Sequence, residues 1–243
     1  MATVAEHQIR VAGERKFFTG MAIALLATAL IGFAPTYFLM IPMHAKPLSP
    51  LVHAHGMVGT AWLVLLVTQT SLVAAGRRDI HRRMGVLGVI LAIAIVVLGL
   101  TVALNAMQHG RTNPGTLPPT ALLAVQFTTI GLFASFATLG ILNRAKAASH
   151  KRFMLLASIS MVLPALARLA RTIDTPPLPA TAIGGMVLSN LFLIALATYD
   201  VRTLGRLHPV TLWGGLAYIL WEPLRIIIGL SAPWQAFVTS TFG

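Results

Sequence analysis

The chain alternates long apolar runs with short polar breaks. The runs are Phe17 to Ile41, Leu51 to Ala75, Met84 to Met107, Thr120 to Leu142, a stretch opening at Phe153, Ala180 to Tyr199, and Pro209 to Leu230. Each meets the ~20 residues an α-helix needs to cross ~30 Å of hydrocarbon. The breaks hold helix-stopping residues: Pro42, Pro47 and Pro50; a tight turn from Gly76 to Arg83; Asn113-Pro114-Gly115 with Pro118-Pro119; the basic turn Asn143 to Arg152; the proline-rich Asp174 to Pro179; and Arg202 to His208. Pro209 suits a first helical turn, and Pro164 predicts a kink in the fifth run. The pattern predicts an all-α polytopic transmembrane helix bundle of about seven spans, in one domain over residues 1–243. Residues 1–16 read as a loosely ordered polar tail, with no cleavable signal expected, because the run that follows is too long for a signal peptide. Residues 231–243, with Trp234 and Phe237, read as an interfacial tail.

Composition strengthens this reading. Only 10% of residues are charged and 56% are hydrophobic, with mean hydropathy +0.81; soluble domains carry about 25% charged residues. The net charge of +12 does not imply a nucleic-acid partner, because lysine and arginine cluster in short loops at span ends. Thirteen of the 18 fall on the side of the N-terminus and five on the other, so the N-terminus is expected inside and the C-terminus outside. With no cysteine there is no disulfide, thiolate metal site or cysteine nucleophile. Phosphate-binding glycine loops, nucleophile elbows, HExxH and paired carboxylates are also missing, so hydrolase and ATP-driven activities have no support and no catalytic residue is assigned.

After the first span, three hairpins repeat one device: a basic inner turn, then a histidine, then an apolar helix. The histidines are His81, His150 and His208, and His81-Arg82-Arg83-Met84 matches His150-Lys151-Arg152-Phe153 best. Arginines at a helix N-terminus oppose the helix dipole. Topology signalling would account for them, as would anionic lipid headgroups on the cytoplasmic side or a bound anion such as a heme propionate.

His53 and His55 open the second span at the outer side. Residues two apart on a helix point about 200° apart, so both cannot hold one metal there unless the segment is extended. Gly56 and Gly59 would let a helix or a flat cofactor approach closely, and His44 and His109 lie in nearby outer loops. These histidines are read either as interfacial hydrogen-bonding groups or as ligands to heme iron, copper or zinc. On the inner face, His81 and His150 either sit in the headgroup layer or ligate heme from two helices, in which case Arg82, Arg83, Lys151 and Arg152 would meet the propionates. A second polar group lies in the outer half: Arg168 and Arg171, Asp174, and Glu222 three residues before Arg225. Arg168, Glu222 and Arg225 either line a polar cavity, with Glu222 and Arg225 able to pair, or snorkel to the interface. Gln69, Asn105, Gln126 and Asn190 read as interhelical hydrogen-bonding residues.

The outer histidine, the HRRMG of residues 81–85 and the HKRFMLLASISMVLPALAR of residues 150–168 resemble an uncharacterised bacterial family of predicted membrane proteins. That family carries an HRxxG element and a later HR-x-M element leading an apolar helix that ends in arginine. The resemblance covers about His53 to Arg171 and implies a bacterial inner-membrane protein, with no activity to carry over. More distantly the chain is similar to membrane diheme cytochrome b bundles. That likeness implies heme b held by His81 and His150, a second heme on His55 and an outer partner, and exchange with a quinone or membrane redox partner. The chain departs from the cytochrome pattern in having no second intrahelical histidine on the outer side. The residues alone leave other readings open: a transporter or binding protein for a small molecule, ion or lipid, an accessory subunit of a larger membrane complex, or a non-heme metal enzyme.

Overall fold

The computed structural model describes residues 4–39, 47–110, 117–173 and 179–242, without side chains for 4–11 and 171–183. Among the described residues there are no strands. The helices are α1 (Val4–Phe33), α2 (Pro50–Ala74), α3 (Arg78–Gln108), α4 (Pro119–Leu142), α5 (Ala147–Ile173), α6 (Pro179–Leu204), α7 (Pro209–Leu230) and α8 (Ala232–Phe242). A π-helical turn over Ala34–Phe38 follows α1 and contains Pro35, which has no N–H to continue the α-helical ladder. Six helices are long and apolar enough to cross a membrane, and α7 with α8, bent by 63°, makes up to seven. This is the helix inventory of a multi-pass membrane protein.

The apolar runs set the helices closely for α2, α4 and α7. Elsewhere helix extends into polar sequence. The residues read as an N-terminal tail are helical from Val4, α3 begins at Arg78 inside the basic turn, α5 begins at Ala147, and α6 continues to Leu204. Once an apolar stretch has nucleated a helix, adding a residue costs little, so polar flanks are drawn in until Gly76 and Gly205 end α2 and α6 with positive φ. The residues read as a C-terminal tail form α8, which hydrogen-bonds back to α4 through Trp234 Nε1 and the Thr120 carbonyl. His44, Lys46, Arg111 and Asp174 lie outside the described residues.

Helices α1 to α5 close a ring: α1 packs on α2, α2 on α3, α3 on α4, α4 on α5, and α5 on α1. α6 and α7 form a second layer against α5 and α4. The membrane-length window of α5 is 56% buried against 22–28% for the others, which makes α5 the central helix. Within the ring Trp62 meets Phe133 edge-on at 5.1 Å and donates Nε1–H to Ser158 Oγ at 3.1 Å, so the indole sheds water without leaving its donor unpaired. The α1–α5 seam depends on Gly32, because a Cβ there would overlap the backbone carbonyl of Ala165. Backbone cannot yield as a side chain does. Gly32→Ala is therefore expected to destabilise the bundle by about 1–3 kcal/mol, read as a lower unfolding midpoint in detergent. Gly131→Ala, where a Cβ meets nothing within 4 Å, should leave the midpoint almost unmoved.

Candidate functional site

The basic end of the bundle gathers the repeated histidines. His81 and His150 are each the fourth residue of their helix, α3 and α5, and their rings meet at 6.3 Å between centroids and 84° between planes. The sequence repeat thus corresponds to a structural one. His150 Nδ1 lies 2.7 Å from the Gly140 carbonyl oxygen, which can only accept. Nδ1 therefore carries the proton and Nε2 presents a lone pair, the arrangement of a metal-ligating histidine braced by its other nitrogen. His81 Nδ1 is buried with no hydrogen-bond partner, while its backbone carbonyl accepts from Gln69 Nε2 at 3.2 Å. One turn along α3, a Cβ on Gly85 would meet no atom within 4 Å, so there is open space beside His81. Arg82 and Arg83 are exposed at the same end.

Arg152 is placed differently from a propionate-binding residue. It is buried and bound to the fully buried Asp200 carboxylate of α6, and its Nη1 donates to the Ala148 carbonyl at 2.7 Å. The same carboxylate accepts from Thr211 Oγ1 and, at 3.2 Å, from the His208 backbone N–H. This cluster joins α5, α6 and the start of α7. Lys151, also expected to meet a propionate, pairs with Glu14 and lies over the Phe18 ring.

His208 separates from the other two repeat histidines. It is the N-cap of α7, its Nδ1 accepting from the Val210 N–H at 3.1 Å. Burial and the positive charge of Arg152 hold its pKa below the ordinary histidine value, although Asp200 pulls the other way. The unfolded chain therefore binds this proton first. Stability is expected to rise with pH between the lowered value and about 6.5, and to lose this contribution as pH falls. His208→Asn keeps a capping oxygen without the titration. Its unfolding midpoint should show a flatter slope than wild type across pH 5–7, and equal slopes would rule the linkage out.

On the opposite half, α2 is helical from Pro50, so His53 and His55 diverge as helical spacing requires. His53 lies beside the Tyr37 ring at 5.6 Å, and its carbonyl accepts from Tyr37 Oη. His55 turns toward α3, where a Cβ on Gly99 would lie 3.6 Å from its ring. His55 Nδ1 is buried without a partner, and Gly59, one turn on, has open space like Gly85. His109 is exposed and bonds the Asn105 carbonyl of its own helix.

Glu222 and Arg225 share the buried face of α7 but do not bridge each other. The Glu222 carboxylate accepts from Ser189 Oγ at 2.8 Å and Asn190 Nδ2 at 3.2 Å, both on α6. Arg225 turns to α4, donating Nη1–H to Thr129 Oγ1 at 3.0 Å and Nε–H to the Glu222 carbonyl. Arg168 lies over the Phe33 ring at 4.6 Å, on the α1 side of α5. The expected cavity of Arg168, Glu222 and Arg225 is thus split over three helix seams.

Among the described residues, no group of three or more histidine, aspartate or glutamate side chains could hold a metal ion. The chain matches no known protein family, no characterised protein and no solved structure. Sequence reasoning missed Asp200, the partner of Arg152. Its only signal was a carboxylate near the end of an apolar run, in a chain with six acidic residues in all.

Proposed function

We propose that the chain is a multi-pass protein of a bacterial cell membrane, with its N-terminus and basic turns cytoplasmic, that binds heme b between His81 and His150 and carries single electrons to a quinone or another membrane redox partner. The observation that supports this reading is the histidine pair itself. The two rings come from two helices at one end of the bundle and lie 6.3 Å apart between centroids, so both could contribute to holding one heme. His150 would present Nε2, fixed by the Gly140 carbonyl. His81 would contribute a nitrogen from a ring whose Nδ1 is otherwise an unsatisfied buried atom. Arg82 and Arg83, exposed at the same end, are the cations left for propionates once Arg152 is committed to Asp200. Heme b supplies one-electron oxidation and reduction when bound. This chain's residues hold it, keep one imidazole in the ligating tautomer and surround it with apolar helix.

The outer histidine supports a second heme less well. His55 has the buried orphan nitrogen and the neighbouring open glycine, but no second histidine of the described residues faces it. One inner heme is the reading the side chains favour.

The test is an absorption spectrum of gently purified protein, oxidised and dithionite-reduced, with iron analysis on the same sample. A Soret band that shifts and sharpens on reduction, with about one iron per chain, is expected. Colourless, iron-free protein after expression with ample heme would overturn the proposal.

A further inference from the structure

The two hairpins that supply His81 and His150 share more than a histidine. In the second, the outgoing helix α4 offers the Gly140 carbonyl to His150 Nδ1 from 10 residues earlier in the chain. In the first, the outgoing helix α2 presents Gln69, 12 residues before His81. Gln69 follows Trp62 by about two helical turns on the same face of α2. Trp62 is buried inside the ring of helices, so that face carries Gln69 inward, against α3.

The contact fixes which way the Gln69 amide points. Nε2 faces the His81 backbone carbonyl at 3.2 Å, and a carbonyl only accepts, so the amide nitrogen is on that side and Oε1 on the other. Oε1 is buried and receives no hydrogen bond. His81 Nδ1, in the residue that Gln69 holds, is buried and makes none. The Gln69 backbone carbonyl also approaches the imidazole, so the ring lies against this residue. A spare buried acceptor and a spare buried ring nitrogen thus belong to two residues already in contact. Each unpaired atom costs free energy that a bond between them removes. That bond has one polarity. An amide oxygen accepts, so Nδ1 carries the proton and Nε2 the lone pair. The Gly140 carbonyl imposes the same tautomer on His150.

We propose that Gln69 is the positioning residue of His81: its Oε1 accepts from Nδ1–H and so sets the tautomer that offers Nε2 to iron. The inference rests on the proposed heme for its purpose, and on α2 and α3 alone for its geometry. A ligating histidine whose other nitrogen donates a hydrogen bond is held in orientation and is the more basic ligand. The first hairpin braces its histidine with a side chain where the second uses a backbone carbonyl, so the first brace is open to substitution.

The test reads the tautomers directly. Full-length protein in detergent, carrying isotope-labelled histidine and no heme, is followed by nitrogen NMR at pH about 8, where an ordinary histidine is neutral. His81→Asn and His150→Asn assign the two sets of signals. Both rings are expected as the Nδ1–H tautomer in wild type. Gln69→Leu should lower the ratio of Nδ1–H to Nε2–H at His81 by about fivefold or more, the worth of one net hydrogen bond, and leave His150 unmoved. Gln69→Met serves the same comparison if Gln69→Leu does not fold. Wild-type His81 with its proton on Nε2 overturns the proposal. A Gln69 variant with an unchanged His81 ratio also overturns it, because the backbone alone then holds the ring. So does a variant that shifts His81 and His150 together, because that end of the bundle has merely loosened. Heme is then titrated into the same samples, and Gln69→Leu should bind it about tenfold more weakly than wild type. Equal affinity overturns the role toward iron. Wild type that takes up no heme, yet keeps a tautomer dependent on Gln69, overturns the heme reading alone.

Discussion

Asp200→Ala is expected to cost the bundle about 3–5 kcal/mol, the largest single-residue effect outside the ring seams. The substitution leaves the Arg152 guanidinium, 2% exposed, as a positive charge in an apolar interior without its partner. It also orphans the Thr211 hydroxyl and the His208 backbone N–H, both of which the carboxylate accepts from. The readout is the unfolding midpoint in detergent, which should fall by on the order of 10 °C. A double variant, Arg152→Met with Asp200→Leu, removes both charges and should recover much of the loss, since a buried pair replaced as a unit is close to neutral. A double variant no more stable than Asp200→Ala would place the damage in the backbone of α6 rather than in the unpaired charge.

The second large effect concerns the proposed heme. His150→Ala removes the ring whose tautomer the Gly140 carbonyl fixes, and occupancy by the proposed heme should fall by at least about tenfold, the lower end of what losing even a supporting group costs in a metal site. Soret absorbance per chain, normalised to protein and compared at equal monodispersity, is the measurement. His208→Asn serves as the contrast. Its histidine caps α7 with Nδ1 and should retain wild-type heme. If the two variants lose heme equally, the basic end is failing as a whole and the assignment to the His81–His150 pair falls.

Local patterns were readable in the sequence, and long-range pairings were not. The apolar runs fixed α2, α4 and α7 to within a residue or two, because the length of an apolar stretch is itself a membrane-scale signal. The His81–His150 correspondence was visible because hairpin repetition puts equivalent residues at one end of a bundle. The divergence of His53 and His55 followed from helical spacing. The pairing of Arg152 was not readable because Asp200 lies 48 residues away on α6, and nothing local distinguishes a paired arginine from an exposed one. Glu222 and Arg225 were one helical step apart, which permits pairing, but α6 offered the carboxylate two neutral donors and α4 offered the guanidinium a hydroxyl. Spacing specifies which side chains can meet; the neighbouring helices decide which of them do.

The contact between the first and fifth helices has a consequence for the order of synthesis. While the ribosome makes the chain, α1 has only α2 to lean on, and the seam in which Gly32 admits Ala165 has no second half until α5 has been made. Until then the glycine side of α1 faces lipid or the insertion machinery. The first four helices therefore form an open arc rather than a finished domain. The fifth helix is the keystone: it closes the arc, delivers His150 to a waiting His81, and presents Arg152 to a carboxylate that has yet to emerge.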